Sequence, residues 1–196
     1  MFRPSALAKA ALLTVLAAPV PAGADATYWT TPTLLKDFFR ASKRVGYVKL
    51  ITTQHAAALQ ARLGYVPRQA EHVIFVARTG DHIDGYAIVH DEQGQHEPIT
   101  FGIKLGPDGR VERTEVMVYR EGHGEEIREA RFRKQFVGRG PGEPLRFEHE
   151  IDAISGATIS SKSATLAVER ALAVLAVARA EGPLKVAPTA QTARTP

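Results

Sequence analysis

The chain of 196 residues contains no cysteine, and this absence excludes several kinds of chemistry. Thiol catalysis, cysteine-ligated iron–sulfur clusters and the C-x-x-C-H attachment of haem all require that side chain. A lipoprotein anchor is excluded for the same reason. Disulfide bonds are excluded too, so the hydrophobic core must stabilise the fold without covalent cross-links.

Several catalytic signatures are also missing from the sequence. There is no G-x-S-x-G, no G-x-G-x-x-G, no Walker loop and no H-E-x-x-H. The seven histidines are scattered, and no two of them have the i, i+4 spacing of a helical metal site. The densest polar cluster, residues 90–97, lies between two predicted strands and is interpreted as a solvated loop, with a metal site as the weaker alternative. We therefore predict no catalytic residues and no metal ligands.

The first 24 residues have the pattern of a secretory signal. Arg3 and Lys9 form a basic leader, an apolar run covers residues 10–18, and Ala22-Gly23-Ala24 provides an A-x-A cleavage site. The apolar run is much shorter than the roughly 20 residues that span a bilayer. The pattern predicts a periplasmic or otherwise extracytoplasmic protein, with an uncleaved, membrane-associated segment as the alternative.

Removal of residues 1–24 takes away two of the 25 basic residues and none of the 21 acidic ones. The remaining net charge is only about +2, since the whole chain carries +4. This charge is too small to indicate binding to nucleic acid, and export argues against it as well. We expect one domain over residues 25–182 and a disordered tail over residues 183–196.

Periodicity predicts an α+β fold. Helical spacing is found over residues 31–50, residues 52–67 with Thr53 as the cap, residues 124–136 and residues 160–180. Four strand-like runs lie between the second and third of these segments, and a Pro-Asp-Gly turn joins the last two. We expect an antiparallel sheet of about four strands, with N-terminal helices and a long C-terminal helix packed on it. The four strand-like runs cover residues 71–79, 84–91, 97–105 and 110–120.

The stretch DAISGATISSKS, residues 152–163, precedes the long C-terminal helix. Its serine and threonine hydroxyls are candidate N-caps, because their oxygens can accept hydrogen bonds from the first amides of a helix. The start of a helix also attracts anions, and the small Gly156 and Ala157 leave room for a phosphate to approach. From residue chemistry alone, both a plain helix cap and a phosphate site remain open.

The same stretch resembles the attachment motif of the FMN-binding domain family. Asp152, Ser155, Gly156 and Ala157, followed by Thr158, match its D-x-x-S-G-A-T pattern. The family includes the C subunit of the sodium-pumping NADH:quinone reductase and the G subunit of the Rnf complex. The resemblance covers residues 71–175 and implies that FMN is attached to Thr158 through a phosphoester bond. A flavin transferase with FAD as donor and Mg²⁺ as its metal would make the bond after reading the four preceding residues.

The resemblance also implies a role and the residues around the flavin. The chain would carry electrons between a membrane-linked donor and an extracytoplasmic acceptor, with membrane electron-transport components or cytochromes as partners. A carrier fits better than an independent enzyme. The alternatives are a non-catalytic exported binding domain, in which residues 155–161 only cap a helix, and a reductase of a small acceptor. We expect the flavin ring to contact a loop with His96 and Glu97 and a wall of aromatic residues. The candidate residues are Gln95, His96 and Glu97 in the loop, and Tyr86, Phe101 and Tyr119 in the wall.

Overall fold

A computed structural model describes residues 25–185 and confirms the predicted α+β fold. The predicted signal, residues 1–24, and the end of the predicted tail, residues 186–196, lie outside the described part. The helices are α1 (Thr31–Phe38), α2 (Ala56–Leu63), α3 (Ala130–Arg133) and α4 (Thr158–Ala180). The strands are β1 (Ala26–Thr27), β2 (Arg44–Ile51), β3 (Glu71–Thr79), β4 (His82–Gln93), β5 (Pro98–Leu105) and β6 (Val111–Tyr119).

The sheet is antiparallel throughout and has six strands, where the sequence predicted about four. Its order is β1-β6-β5-β4-β3-β2, so the four predicted strands form the centre as a meander. The turn between β5 and β6 lies where the Pro-Asp-Gly motif predicted it. The Gly106 amide donates to the Arg110 carbonyl at 2.8 Å, and Gly109 has the positive φ of +90° that favours glycine. The two additional strands occupy the edges of the sheet.

The prediction of one helix over residues 31–50 is wrong in its second half. Helix α1 ends at Phe38, and residues 44–51 form β2, which pairs with β3 from Arg44↔Arg78 to Ile51↔Glu71. Val45, Tyr47 and Val48 favour a strand. The structure exposes Val45 and buries only Leu50 in this strand. Val45 is therefore not part of a buried helical face, which the predicted helix would have required.

Two other local predictions also need correction. Thr53 does not cap α2, because a 3₁₀ turn over Thr52–His55 precedes that helix and His55 occupies the N-cap position. Residues 124–136 do not form one helix but two 3₁₀ turns flanking the short α3. Glu129 has an extended backbone, with φ of −60° and ψ of 137°, and interrupts the helical run. The apolar side chains that give this segment its helical spacing are nevertheless buried, namely Ile127, Phe132 and Phe136.

Helix α4 packs against the centre of the sheet and forms one side of the main core. The apolar residues at i, i+3, i+4 and i+7 that predict its buried face, namely Val168, Ala171, Leu172 and Leu175, are all buried. Val168 and Ala171 are completely inaccessible. Most residues of α4 between Ser160 and Ala178 are buried, which explains how a helix rich in alanine and valine is stable here, since tertiary packing supplies most of its stability. No helix within residues 25–185 is both long enough and apolar enough to cross a membrane.

The core beneath α4 also contains a cluster of ionisable side chains. His72 of β3, His90 and Glu92 of β4, and Arg170 of α4 are each at most 9% exposed. The Arg170 guanidinium lies 2.8 Å from one Glu92 carboxylate oxygen and 2.9 Å from the other. Burial, assisted by the Arg170 charge, lowers the pKa of His72 to about 4 and that of His90 to about 3. Both histidines are therefore neutral at pH 7.

We expect His72 to make the fold sensitive to mild acid. The unfolded chain protonates this residue near pH 6.5, whereas the folded chain does so only near pH 4. Stability is therefore complete above pH 6.5 and falls as the pH drops towards 4, by about 2 kcal/mol at pH 5. Urea unfolding measures this effect. Between pH 7 and pH 5, the free energy of unfolding of His72→Gln should fall by about 2 kcal/mol less than that of the wild type. The control is His149→Gln, at an exposed position, which should follow the wild-type profile. Equal pH slopes for His72→Gln and wild type would contradict the prediction.

Candidate functional site

A tight turn presents the predicted attachment residue. The Ala157 amide donates to the Ile154 carbonyl at 2.9 Å, which closes a turn through Ser155 and Gly156. Gly156 has a φ of +82°, and a Cβ added there would meet nothing within 4 Å. Glycine is thus required for its backbone conformation and not for space. Thr158 follows as the first residue of α4 and is exposed to solvent.

The prediction that the serine and threonine hydroxyls cap α4 is wrong. Ala157 occupies the N-cap position, and no side chain makes a capping hydrogen bond there. The hydroxyls instead connect the helix to its surroundings. Ser161 Oγ accepts from the Ile154 amide at 3.2 Å, and Ser163 Oγ donates to the Gln93 carbonyl at 2.6 Å. Ser161 and Ser163 therefore hold the start of α4 against its neighbours and do not cap it.

Gln135 holds the chain just before the turn. Its side-chain oxygen accepts from the Asp152 amide at 2.8 Å, and its side-chain nitrogen donates to the Asp152 carbonyl at 3.2 Å. The Gln135 side-chain amide thus bonds to the Asp152 backbone as a neighbouring strand would, and it positions the backbone that leads to Thr158. The Asp152 side chain itself is exposed. Nothing in the sequence pattern indicated Gln135, because it lies 17 residues away in the chain.

Tyr119 joins the end of β6 to the first turn of α4. Its hydroxyl lies 2.9 Å from Ser160 Oγ and also donates to the His123 carbonyl. Gly124, with a φ of +96°, lies so close that an added Cβ would be 2.6 Å from Ser160 Oγ. Burial raises the pKa of Tyr119, so the phenol keeps its proton and remains a donor at neutral pH. The turn after β6 is therefore packed directly on the helix start.

Tyr119→Phe is expected to destabilise the fold by about 1–3 kcal/mol, because it leaves the buried Ser160 hydroxyl and the His123 carbonyl without their partner. Urea unfolding at pH 7 measures the loss. The matched control is Tyr47→Phe on β2, where the ring is 63% exposed and the change should stay within about 0.5 kcal/mol. An equal, small effect at both positions would show that the Tyr119 hydroxyl contributes nothing to the helix start.

The predicted ring-contact loop lies near the start of α4. His96 and Glu97 are both exposed, and their backbone amides donate to one carboxylate oxygen of Glu121 at 2.6 and 3.0 Å. Burial opposes ionisation of Glu121, but these amides hold its pKa below the usual range. Gln93, the last residue of β4 before this loop, accepts a hydrogen bond from Ser163 of α4. The structure thus brings loop 94–97, the turn after β6 and the start of α4 together.

The aromatic wall predicted for the flavin ring is largely core. Phe101 is completely buried and Tyr86 is 3% exposed. The Tyr86 ring lies 6.0 Å from the Arg179 guanidinium, near the far end of α4 from Thr158. Only Tyr119 among the three is in contact with the helix start.

Within residues 25–185, no group of three or more histidine, aspartate or glutamate side chains is placed to hold a metal ion.

These elements make up an α+β domain in which a small turn presents one exposed threonine at the start of a long helix. The family model of the FMN-binding domain matches residues 94–173, from the loop before β5 through most of α4. This match confirms the resemblance seen in the sequence and shows that residues 94–173 are similar to an FMN-binding domain. No curated protein shows significant similarity to the chain.

Proposed function

We propose that FMN is attached to the Thr158 hydroxyl through a phosphoester bond and that the protein carries electrons outside the cytoplasm. The observation that supports this most directly is the position of Thr158, exposed at the uncapped start of α4 inside the match to the FMN-binding domain. In the proposed maturation, the Thr158 oxygen replaces AMP on the FMN phosphorus of FAD. A flavin transferase with its Mg²⁺ takes up the hydroxyl proton.

The residues at the helix start suit a phosphoester. Such a bond keeps one negative charge, and the amides of the first turn of α4 have no side-chain cap to compete for it. A negative charge at this position gains about 0.3–2 kcal/mol from the helix dipole. Lys162 is exposed one helical turn after Thr158, on the same face, and adds a positive charge. Asp152 and the Ser155-Gly156-Ala157 turn precede the hydroxyl and form the surface that the transferase would read.

The bound flavin would supply the redox chemistry, and the chain would hold and orient it. Loop 94–97, Tyr119 and the turn at residues 121–124 surround the helix start and are the candidates for contact with the ring. A covalent bond suits an exported protein, because lost FMN could not be replaced from a cytoplasmic pool. The electron donor would be linked to the membrane, and the acceptor would be a cytochrome or another extracytoplasmic component.

Peptide mapping tests the attachment directly. The full chain is produced in an exporting host that contains a flavin transferase, and the purified protein is digested with trypsin. The peptide covering residues 147–162 contains Thr158 and ends at Lys162. We expect this peptide to gain the mass of FMN less one water, and fragmentation to place that mass on Thr158. An unmodified peptide, together with no flavin fluorescence in a denaturing gel, would disprove covalent attachment.

A further inference from the structure

The ionisable cluster beneath α4 is distinguished by unsatisfied polar atoms. Seven buried side-chain nitrogen or oxygen atoms within residues 25–185 lack a well-directed hydrogen bond, and six of them are in this region. Native proteins rarely leave buried polar groups unpaired, and a concentration of them indicates bound water or a functional role. Five side chains contribute these six atoms, namely Gln69, His72, His90, Glu92 and Arg170.

A half-open cavity of about 510 Å³ leads from the surface to this cluster. Glu92 and Arg170 line it from the buried side, although each side chain is less than a tenth exposed. Tyr65, Gln69 and Pro98 form its outer wall. The cavity is both polar and large enough for several water molecules. Water can therefore reach a carboxylate that is otherwise enclosed in the core.

Glu92 is the group of the cluster that can exchange a proton near neutral pH. Burial raises its pKa to about 7, although the Arg170 guanidinium opposes this effect. Asp91 on β4 and Glu169 on α4 raise its proton affinity further. His90 Nε2 lies 3.9 Å from the carboxylate and His72 lies on the adjacent strand, and both are neutral. Arg68 is the charged residue that lines the cavity from the segment after α2.

The cavity is connected to the proposed flavin site through α4 and β4. Gln93, which lines the cavity, accepts a hydrogen bond from Ser163, and Arg170 lies two helical turns further on the same face of α4. Thr158 is five residues before Ser163, about 7.5 Å along the helix axis. Thr158 is thus twelve residues before Arg170, about 18 Å along the helix axis, and a charge at Thr158 that acts on Glu92 along α4 is screened less inside the protein than it would be in salt water.

We propose that Glu92 is a redox-linked proton acceptor, which takes up a proton through the cavity when the flavin is reduced. This inference rests on the proposed attachment of FMN at Thr158. Electrons from the donor add negative charge to the flavin and thereby raise the proton affinity of Glu92. One proton then passes from solvent water to a Glu92 carboxylate oxygen and converts the carboxylate to a carboxylic acid. Oxidation of the flavin reverses both changes.

Infrared difference spectroscopy of the flavinylated protein, reduced minus oxidised at pH 7, tests this proposal. Reduction should produce the C=O stretch of a protonated carboxylic acid, and Glu92→Gln should remove that band. Glu169→Gln, which changes another partly buried glutamate facing the cluster, should keep it. If Glu92→Gln does not fold because Arg170 loses its counter-ion, Glu92→Gln combined with Arg170→Gln removes both charges and should also lack the band.

A second readout comes from the same samples. In weakly buffered solution with an indicator dye, reduction of the wild type at pH 7 should take up more protons per flavin than reduction of the Glu92 variants. The difference should reach about half a proton, because Glu92 with a pKa of about 7 is already half protonated before reduction. Intact mass first establishes whether FMN is attached. No attached FMN would overturn this inference together with the proposed function. Attached FMN with no carboxylic-acid band, or with a band that survives in the Glu92 variants, would overturn this inference alone.

Discussion

Thr158→Ala is expected to abolish covalent attachment of FMN. The substitution removes the only atom that could form the phosphoester at the exposed first position of α4, and alanine is the best helix former at that position. The fold should therefore survive with a change in stability within about 0.5 kcal/mol. Intact mass and flavin fluorescence in a denaturing gel measure attachment, and urea unfolding verifies that the variant is folded.

Two further variants make this result specific. Thr158→Ser keeps a hydroxyl at the same position and should be labelled in part, because the loss of the methyl group makes the side chain freer to rotate. Thr53→Ala removes an exposed threonine far from the turn in sequence and should be labelled fully. A Thr158→Ala protein that still gains the mass of FMN would move the attachment to another hydroxyl. Complete loss of labelling in Thr158→Ser would instead show that the transferase recognises the methyl group.

Arg170→Met is expected to destabilise the fold by about 3–5 kcal/mol at pH 7.5, because Glu92 loses its counter-ion and must either stay in the core as an isolated carboxylate or take up a proton. The loss should become smaller at pH 5. Burial already raises the pKa of Glu92 to about 7, and removal of the Arg170 charge raises it further, so the group is protonated and neutral at pH 5. Urea unfolding at the two pH values measures both effects.

The double variant Glu92→Met with Arg170→Met tests the origin of this loss. It removes both charges and should recover most of the stability, since apolar pairs of similar size often replace buried ion pairs without cost. Arg131→Met is the control on a side chain that is 76% exposed, and its effect should stay within about 0.5 kcal/mol. A double variant as unstable as Arg170→Met would show that lost packing, and not the isolated charge, is the cause.

Local pattern was sufficient to locate the centre of the fold and to recognise the family resemblance. Alternation and a Pro-Asp-Gly turn located β3–β6, and helical spacing located α4, because each pattern is set by neighbours a few residues apart. The S-G-A-T motif is a contiguous stretch, so the resemblance to the FMN-binding domain family could be read without any knowledge of the fold. The match of the family model to residues 94–173 confirms that resemblance.

Tertiary structure decided the features that depend on residues distant in sequence. Residues 44–51 became a strand because β3 offered a free edge, which outweighed a weak helical pattern. The hydroxyls of α4 bond to Gln93, Tyr119 and Ile154 instead of capping the helix, because these partners lie within reach only after the chain has folded. The ion pair between Glu92 and Arg170 connects residues that are 78 positions apart in the sequence. Sequence periodicity reports which face of an element is buried, whereas only packing determines which polar groups meet inside it.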